Sequence, residues 1–226
     1  MTYTELVSLL RKNSEKNFVD FQRKLIFTKY DILGVRTPKL REIAKLFKES
    51  VESLLSFPNE YYEVVFIKLS VVALLPYGEF IKRVQTVVPL IDNWALCDSF
   101  RPKCLKEHAE EYLPTLLCFL EKAGEYEKRY VLVTLLVYYT DEKYLSILAG
   151  VLRGTDTARY YVRMAAAWLV AELLVKHYDF GVNLLKEGFL EVKTHNKAIQ
   201  KARESYRLNN QQKAYLNALK IKTTER

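Results

Sequence analysis

Apolar residues return every three or four positions along nearly the whole chain, and a short polar or proline-containing break closes each run. That period puts them on one face of a helix, whereas a half-buried strand needs strict alternation. Leu6, Leu9 and Leu10 mark a first amphipathic helix ending near Lys12-Asn13-Ser14. A second, from Glu15 to about Leu25, sets Phe18, Phe21 and Leu25 on one face. Residues 26–36 read as a connector, and Thr37-Pro38 reads as an N-cap with proline at the first helical position of a helix to Lys48. Asn59 is placed to cap a helix to Leu75, which Pro76-Tyr77-Gly78 breaks. Further helices are expected at 79–90, 93–105, 107–122, 125–139 and 142–152. Thr155 or Asp156 would cap the next, in which Ala165-Ala166-Ala167-Trp168-Leu169-Val170-Ala171 is apolar almost all round and so buried on most sides. Helices at about 179–187, 194–207 and 209–221 complete the series.

The β-branched runs fall inside helix-length segments, so no strand is expected. Seven glycines and six prolines in 226 residues also argue against a turn-rich β fold. Helices of 10–20 residues in pairs of about 40 predict an all-α fold: a curved superhelical array of HEAT-like antiparallel helix pairs, an α-solenoid. Such an array presents an extended concave surface. An irregular all-α domain is the alternative. No stretch rich in Gly, Ser or Pro interrupts the chain, so one domain over 1–226 is expected.

Charge is unevenly distributed. Residues 1–48 hold 11 Lys and Arg against 5 Asp and Glu, residues 193–226 hold 9 against 2, and residues 49–192 hold 15 against 20. Basic ends on a curved fold suit the backbone of a nucleic acid, although a generically basic protein has the same balance. No run of about twenty uncharged apolar residues is present, so no membrane span is expected. Met1 to Glu15 lacks the apolar core of a signal peptide. Cys97, Cys104 and Cys118 have no CxxC spacing and read as buried free thiols of a reducing compartment. His108, His177 and His195 form no ligand pattern, so neither metal nor cofactor is implied.

The stretch Asp92-Asn93-Trp94-Ala95-Leu96-Cys97-Asp98-Ser99-Phe100 carries the most chemistry. On a helix Trp94 and Asp98 lie one turn apart on one face. A carboxylate beside an indole stabilises positive charge in a ligand or transition state. Against this stands the plainer reading, with Trp94 in the core and Asp98 a cap or salt-bridge partner.

Four stretches together resemble the DNA alkylation repair enzyme family, the HEAT-like-repeat alkylpurine DNA glycosylases. They are Gly34 to Arg41 (GVRTPKLR), Asn93 to Phe100, Arg159 to Trp168 (RYYVRMAAAW) and Asn196 to Tyr206 (NKAIQKARESY). The likeness runs from about residue 15 to residue 207. It implies an excision site of two tryptophans, an aspartate and an arginine on the concave face. Trp94 stands at the first tryptophan, Asp98 at the aspartate, Arg129 at the arginine and Trp168 at the second tryptophan. Trp168 also fits a plain core position, and Arg129 also fits a partner of Glu125 or Glu127.

The implied activity is hydrolysis of the N-glycosidic bond of N3- or N7-alkylated purines in duplex DNA, without a deep base-flipping pocket. Such a purine is cationic and already a good leaving group, so the demand falls on the oxocarbenium-like sugar, for which a carboxylate is the natural partner. Asp98 takes that role and also orients water. Trp94 and Trp168 flank the cationic nucleotide, each contact worth roughly 0.5–2 kcal/mol. Arg129 holds a phosphate. Backbone grip is assigned to Arg36, Thr37, Lys39 and Arg41 near a helix start, and to Arg159, Arg163, Lys197, Lys201 and Arg203. A monomer in a bacterial cytoplasm is the further expectation. One departure favours a second function: the extended 25–33 segment shortens the N-terminal element that wraps DNA. This resembles a branch that keeps the catalytic residues without the usual capture helix, and it admits a scaffold that binds nucleic acid or protein without excision.

Overall fold

The computed structural model describes residues 1–122 and 124–222. Among these residues it contains fourteen α-helices joined by short loops and 3-10 turns, with no strand beyond one isolated bridge between Asp31 and Tyr61. The all-helical expectation holds. No helix among the described residues is long and apolar enough to cross a membrane. The chain divides into two compact units, residues 1–112 and 113–226.

The first unit contains α1 (Tyr3–Lys12), α2 (Lys16–Leu25), α3 (Thr37–Lys45), α4 (Val51–Ser56), α5 (Tyr62–Val72), α6 (Tyr77–Val87) and α7 (Trp94–Ser99). Its organiser is α5, where Val64, Val65, Phe66, Ile67, Leu69, Val71 and Val72 are all buried, against α3, α4, α6 and α7. β-Branched residues are indifferent helix formers, so packing on every side stabilises this helix rather than propensity.

Two charged groups are carried into the core on α5. The Lys68 ammonium donates to the carbonyls of Leu55 (3.0 Å) and Phe57 (2.5 Å) and to Asn59 Oδ1 (2.7 Å). It closes the C-terminal end of α4, while burial pushes its pKa down to about 8. Asn59 is therefore no N-cap: Tyr61 precedes α5, and the Asn59 carboxamide is committed to Lys68.

Glu63, fully buried, accepts from the amides of Leu33 (3.0 and 3.1 Å), Gly34 (2.7 Å) and Val35 (3.3 Å). This clamp sets the end of the 26–36 connector. Gly34 is obligatory there: its φ is +82°, and a Cβ would collide with Val19 Cγ2 and lie 2.9 Å from the Glu15 carbonyl.

After α8 (Ala109–Leu117), the second unit contains α9 (Glu125–Tyr138), α10 (Leu145–Gly154), α11 (Tyr160–Lys176), α12 (Tyr178–Lys186), α13 (Val192–Arg203) and α14 (Asn210–Ala218). Here α11 is the organiser, burying nine residues against α9, α12 and α13. At Gly181 a Cβ would lie 2.8 Å from both Leu174 Cα and N, so the missing side chain is what lets α12 close on α11.

Several boundaries differ from the periodicity. The expected 93–105 helix stops at Ser99, because Phe100 is extended (φ −78°, ψ 93°) and Pro102 has no amide to donate; a 3-10 turn over Lys103–Lys106 follows. Arg36, not Thr37, is the N-cap of α3. Neither Thr155 nor Asp156 caps α11, which begins at Tyr160; Asp156 instead accepts from the Ala158 amide (2.9 Å) in a local turn. The short α4 was not foreseen. Only Cys97 of the three thiols is buried; Cys104 is half-buried and Cys118 exposed.

Candidate excision and nucleic-acid site

The helix that carries Trp94 and Asp98 is short and is held by its surroundings. The Asn93 side chain caps it, accepting from the Leu96 amide (3.0 Å), and donates to Asp92 Oδ1 (2.7 Å). Asp92 also accepts from Thr28 Oγ1 (2.8 Å) and the Lys29 amide (2.7 Å), so the connector is tied down beside the helix start. The Tyr30 hydroxyl donates to the Leu90 carbonyl (2.8 Å), a further tie. Trp94 Nε1 donates to the Leu25 carbonyl at the end of α2 (3.0 Å). That bond uses the Nε1 edge of the half-buried indole. Leu96 and Cys97 turn into the core, whereas Trp94, Ala95, Asp98 and Ser99 are half-buried.

These four residues line one open cleft of about 480 Å³. Its opposite wall is α2 and the start of the connector, through Phe18, Phe21, Gln22, Leu25 and Ile26. Thr37 and Arg41 of α3, with Tyr62 and Arg101, complete the lining. Trp94 and Asp98 thus share this cleft with the start of α3, within the first unit. The apolar face of α2 is only partly buried: Phe21 is 55% and Leu25 46% exposed. Burial, with the Glu63 and Asp92 charges, raises the Tyr62 phenol above its ordinary range, so it remains a hydrogen-bond donor.

Two members of the lining escaped the sequence reading. Arg101 sits on a turn fixed on both sides, between buried Phe100 and Pro102, and the Lys103 amide donates to the Ala73 carbonyl (3.0 Å). Its proximity to Asp98 in sequence was the only available signal. Gln22 is 7% exposed, and its Oε1 has no hydrogen-bond partner. No sequence pattern marks that position.

The expected basic residues separate into distinct groups. Arg36 is bidentate to Glu15 (2.8 Å) and lies over the Phe18 ring (4.9 Å); the pair holds the Glu15 carboxyl below its usual range. Lys39 pairs with Glu42 (3.0 Å). Arg41 is exposed and faces the cleft.

In the second unit Arg129 is only 5% exposed and donates to the Tyr161 carbonyl (3.0 Å), at the start of α11. Glu125 accepts from the Tyr161 amide (2.7 Å). Trp168 is half-buried, so the plain core position does not describe it; it lines a shallow depression with Lys201, Glu172 and Arg207. Arg163 lies 3.8 Å from Glu191 and donates to the Ala158 carbonyl (3.3 Å). Arg159 is the N-cap of α11, Lys197 donates to Gln200 (3.1 Å) and Arg203 to Asn217 (2.7 Å). Trp94 and Asp98 thus belong to the first unit, and Arg129 and Trp168 to the second.

A carboxylate and an indole face in one open cleft, with two arginines beside them, suit a ligand combining a positive centre with phosphate. Among the described residues no His, Cys, Asp and Glu side chains gather into a group able to hold a metal. Residues 6–207 match the family model described as DNA alkylation repair enzyme. A search of curated proteins gives no match. Because the matched region spans most of the chain and contains both units' candidate residues, the protein belongs to the DNA alkylation repair enzyme family.

Proposed function

We propose that the protein is a DNA glycosylase that hydrolyses the N-glycosidic bond of cationic N3- or N7-alkylated purines in duplex DNA, without metal or organic cofactor. The observation that carries this reading is the shared cleft, where Asp98 and Trp94 stand with Arg41 and Arg101. Asp98 stabilises the oxocarbenium-like sugar, and the Trp94 face holds the cationic nucleotide. Resemblance assigns Trp168 and Arg129 to the same reaction. The burial of Arg129 and its bond to Tyr161 support a role in shaping the start of α11. The fold proposed with this activity is a single HEAT-like-repeat domain over 1–226, an α-solenoid with a basic concave groove, acting as a cytoplasmic monomer. Arg41, Arg101, Arg159, Lys197 and Lys201 are its proposed backbone contacts.

The test is release of free base from methylated duplex DNA by the protein and by Asp98→Asn. We expect release by the parent and a loss of at least about tenfold in the variant, equivalent to roughly 1.4 kcal/mol in the barrier. A second reading, binding without excision, is favoured by the extended 26–36 connector tied to Asp92 and Glu63 in place of a further capture helix. Absence of release from folded protein at high concentration establishes that reading instead.

A further inference from the structure

Lys197 and Lys201 belong to a longer row on α13. Lys193, Lys197 and Lys201 follow one another at four-residue spacing on this helix. Residues so spaced share one helix face and rise about 6 Å from one to the next, close to the repeat of phosphates along one strand. Among the described residues none of the three has a carboxylate partner; Lys197 donates to the neutral Gln200 Oε1 (3.1 Å). Elsewhere in the second unit cations are neutralised, Arg153 by Glu187 (2.6 Å) and Arg207 by Glu172 (2.9 Å). Between residues 193 and 222 the only carboxylate is Glu204, which accepts from Gln200 (3.4 Å).

The chain beyond the family match adds to the same helix. Asn196 clamps the Ile221 backbone, donating to its carbonyl (2.8 Å) and accepting from its amide (3.0 Å). His195 Nε2 donates to the Leu219 carbonyl (2.9 Å). The segment after α14 is thereby pinned to α13, and it carries the exposed Lys220 and Lys222. Past the other end of α13 stands Tyr206, 101% exposed. Its turn is fixed: the Ser205 amide donates to the Ala202 carbonyl (3.1 Å), the Arg207 amide to Ser205 Oγ (3.2 Å), and Leu208 is buried. Ser205 and Arg207, on either side of it, line the depression shared with Lys201 and Trp168. A phenol ring held in water on a fixed turn gains nothing from packing, and it suits a partner that brings a flat ring to stack on it.

We propose that this α13 surface binds single-stranded DNA, with the lysine row following the phosphates and Tyr206 stacking on an unpaired base. Cations in series beside an aromatic ring are the composition of surfaces that track a single strand. In a duplex the bases cover one another, so no base face is open to a ring on a surface turn. Membership of a DNA repair family points to DNA as the polymer. The proposal does not depend on excision at Asp98.

The experiment is binding of a fluorescein-labelled oligothymidylate, followed by anisotropy over a salt series, beside the base-release assay on methylated duplex. The parent is expected to bind, and Lys193→Gln and Lys220→Gln should each reduce the slope of log affinity against log salt by about 0.7. Tyr206→Ala should weaken binding about tenfold at an unchanged slope, because stacking releases no counterions. Tyr206→Phe keeps the ring and should bind as the parent does. All three side chains are exposed, so these variants leave the fold intact. Parental affinity in Tyr206→Ala, or unchanged slopes in both lysine variants, overturns the proposal. So does failure of the folded parent to bind the strand, which leaves the excision reading to its own assay. Strand binding with these variant effects but no base release supports the proposal and overturns the excision reading alone.

Discussion

Replacing Glu63 with alanine removes the acceptor shared by three consecutive connector amides, those of Leu33, Gly34 and Val35. Gly34 and Val35 are buried, so their N–H groups have no water to turn to. An unsatisfied buried donor costs about 1–3 kcal/mol, partly offset because alanine also relieves the desolvation of the carboxyl. The net loss is expected at about 3 kcal/mol. With a urea slope of about 2 kcal/mol per M, that lowers the denaturation midpoint by roughly 1.5 M. Glu63→Gln keeps a carbonyl oxygen for Gly34 and should lose only about 1 kcal/mol at neutral pH.

A pH series adds a second constraint. Burial raises the Glu63 carboxyl above its ordinary value, against the lowering effect of the amides. The native state therefore binds more protons than the unfolded chain between the two values. The group's contribution is fully present below the unfolded value near 4.5 and is lost as pH rises through the folded value. Glutamine has no such dependence, so the wild-type advantage over Glu63→Gln should be largest in acid and shrink toward neutrality. Glutamine as damaging as alanine at pH 7 refutes the acceptor argument. A wild-type advantage that grows with pH refutes the electrostatic one.

Gly181→Ala puts a Cβ 2.8 Å from the α11 backbone at Leu174, which should cost about 2 kcal/mol in a thermal melt. Gly150→Ala in α10, with nothing within 4 Å, should stabilise by about 0.5–1 kcal/mol, and equal effects would contradict the close-approach account. Arg41→Ala and Arg101→Ala should each reduce the slope of log affinity against log salt for duplex DNA by roughly 0.9, the signature of one lost phosphate contact. Unchanged slopes remove these two residues from the interface.

The helices and many of their ends were legible in the sequence because helical period, proline and capping residues act over three to five positions. The all-round apolar pattern of residues 165–171 marks the core helix of the second unit, whereas Asn93, placed inside the expected 93–105 helix, is the N-cap of α7. The 93–105 reading failed because periodicity was carried through Pro102, a break available in the sequence itself. Asn59 failed differently, as a good cap drawn away by a buried ammonium.

What determines the chemistry of the site depends on partners distant in the chain. Trp94 donates to a carbonyl 69 residues earlier, and Arg36, expected to grip DNA, is paired with Glu15, 21 residues before it. No local pattern encodes such contacts, since they exist only once α2, α3 and α7 are brought together around one cleft. Residue types and helical faces were thus determined by the sequence itself. Tertiary packing decided that Arg129 is buried, that Arg41 and Arg101 face the cleft, and that Gln22 lacks a partner there, because desolvation and pairing are properties of assembled surfaces.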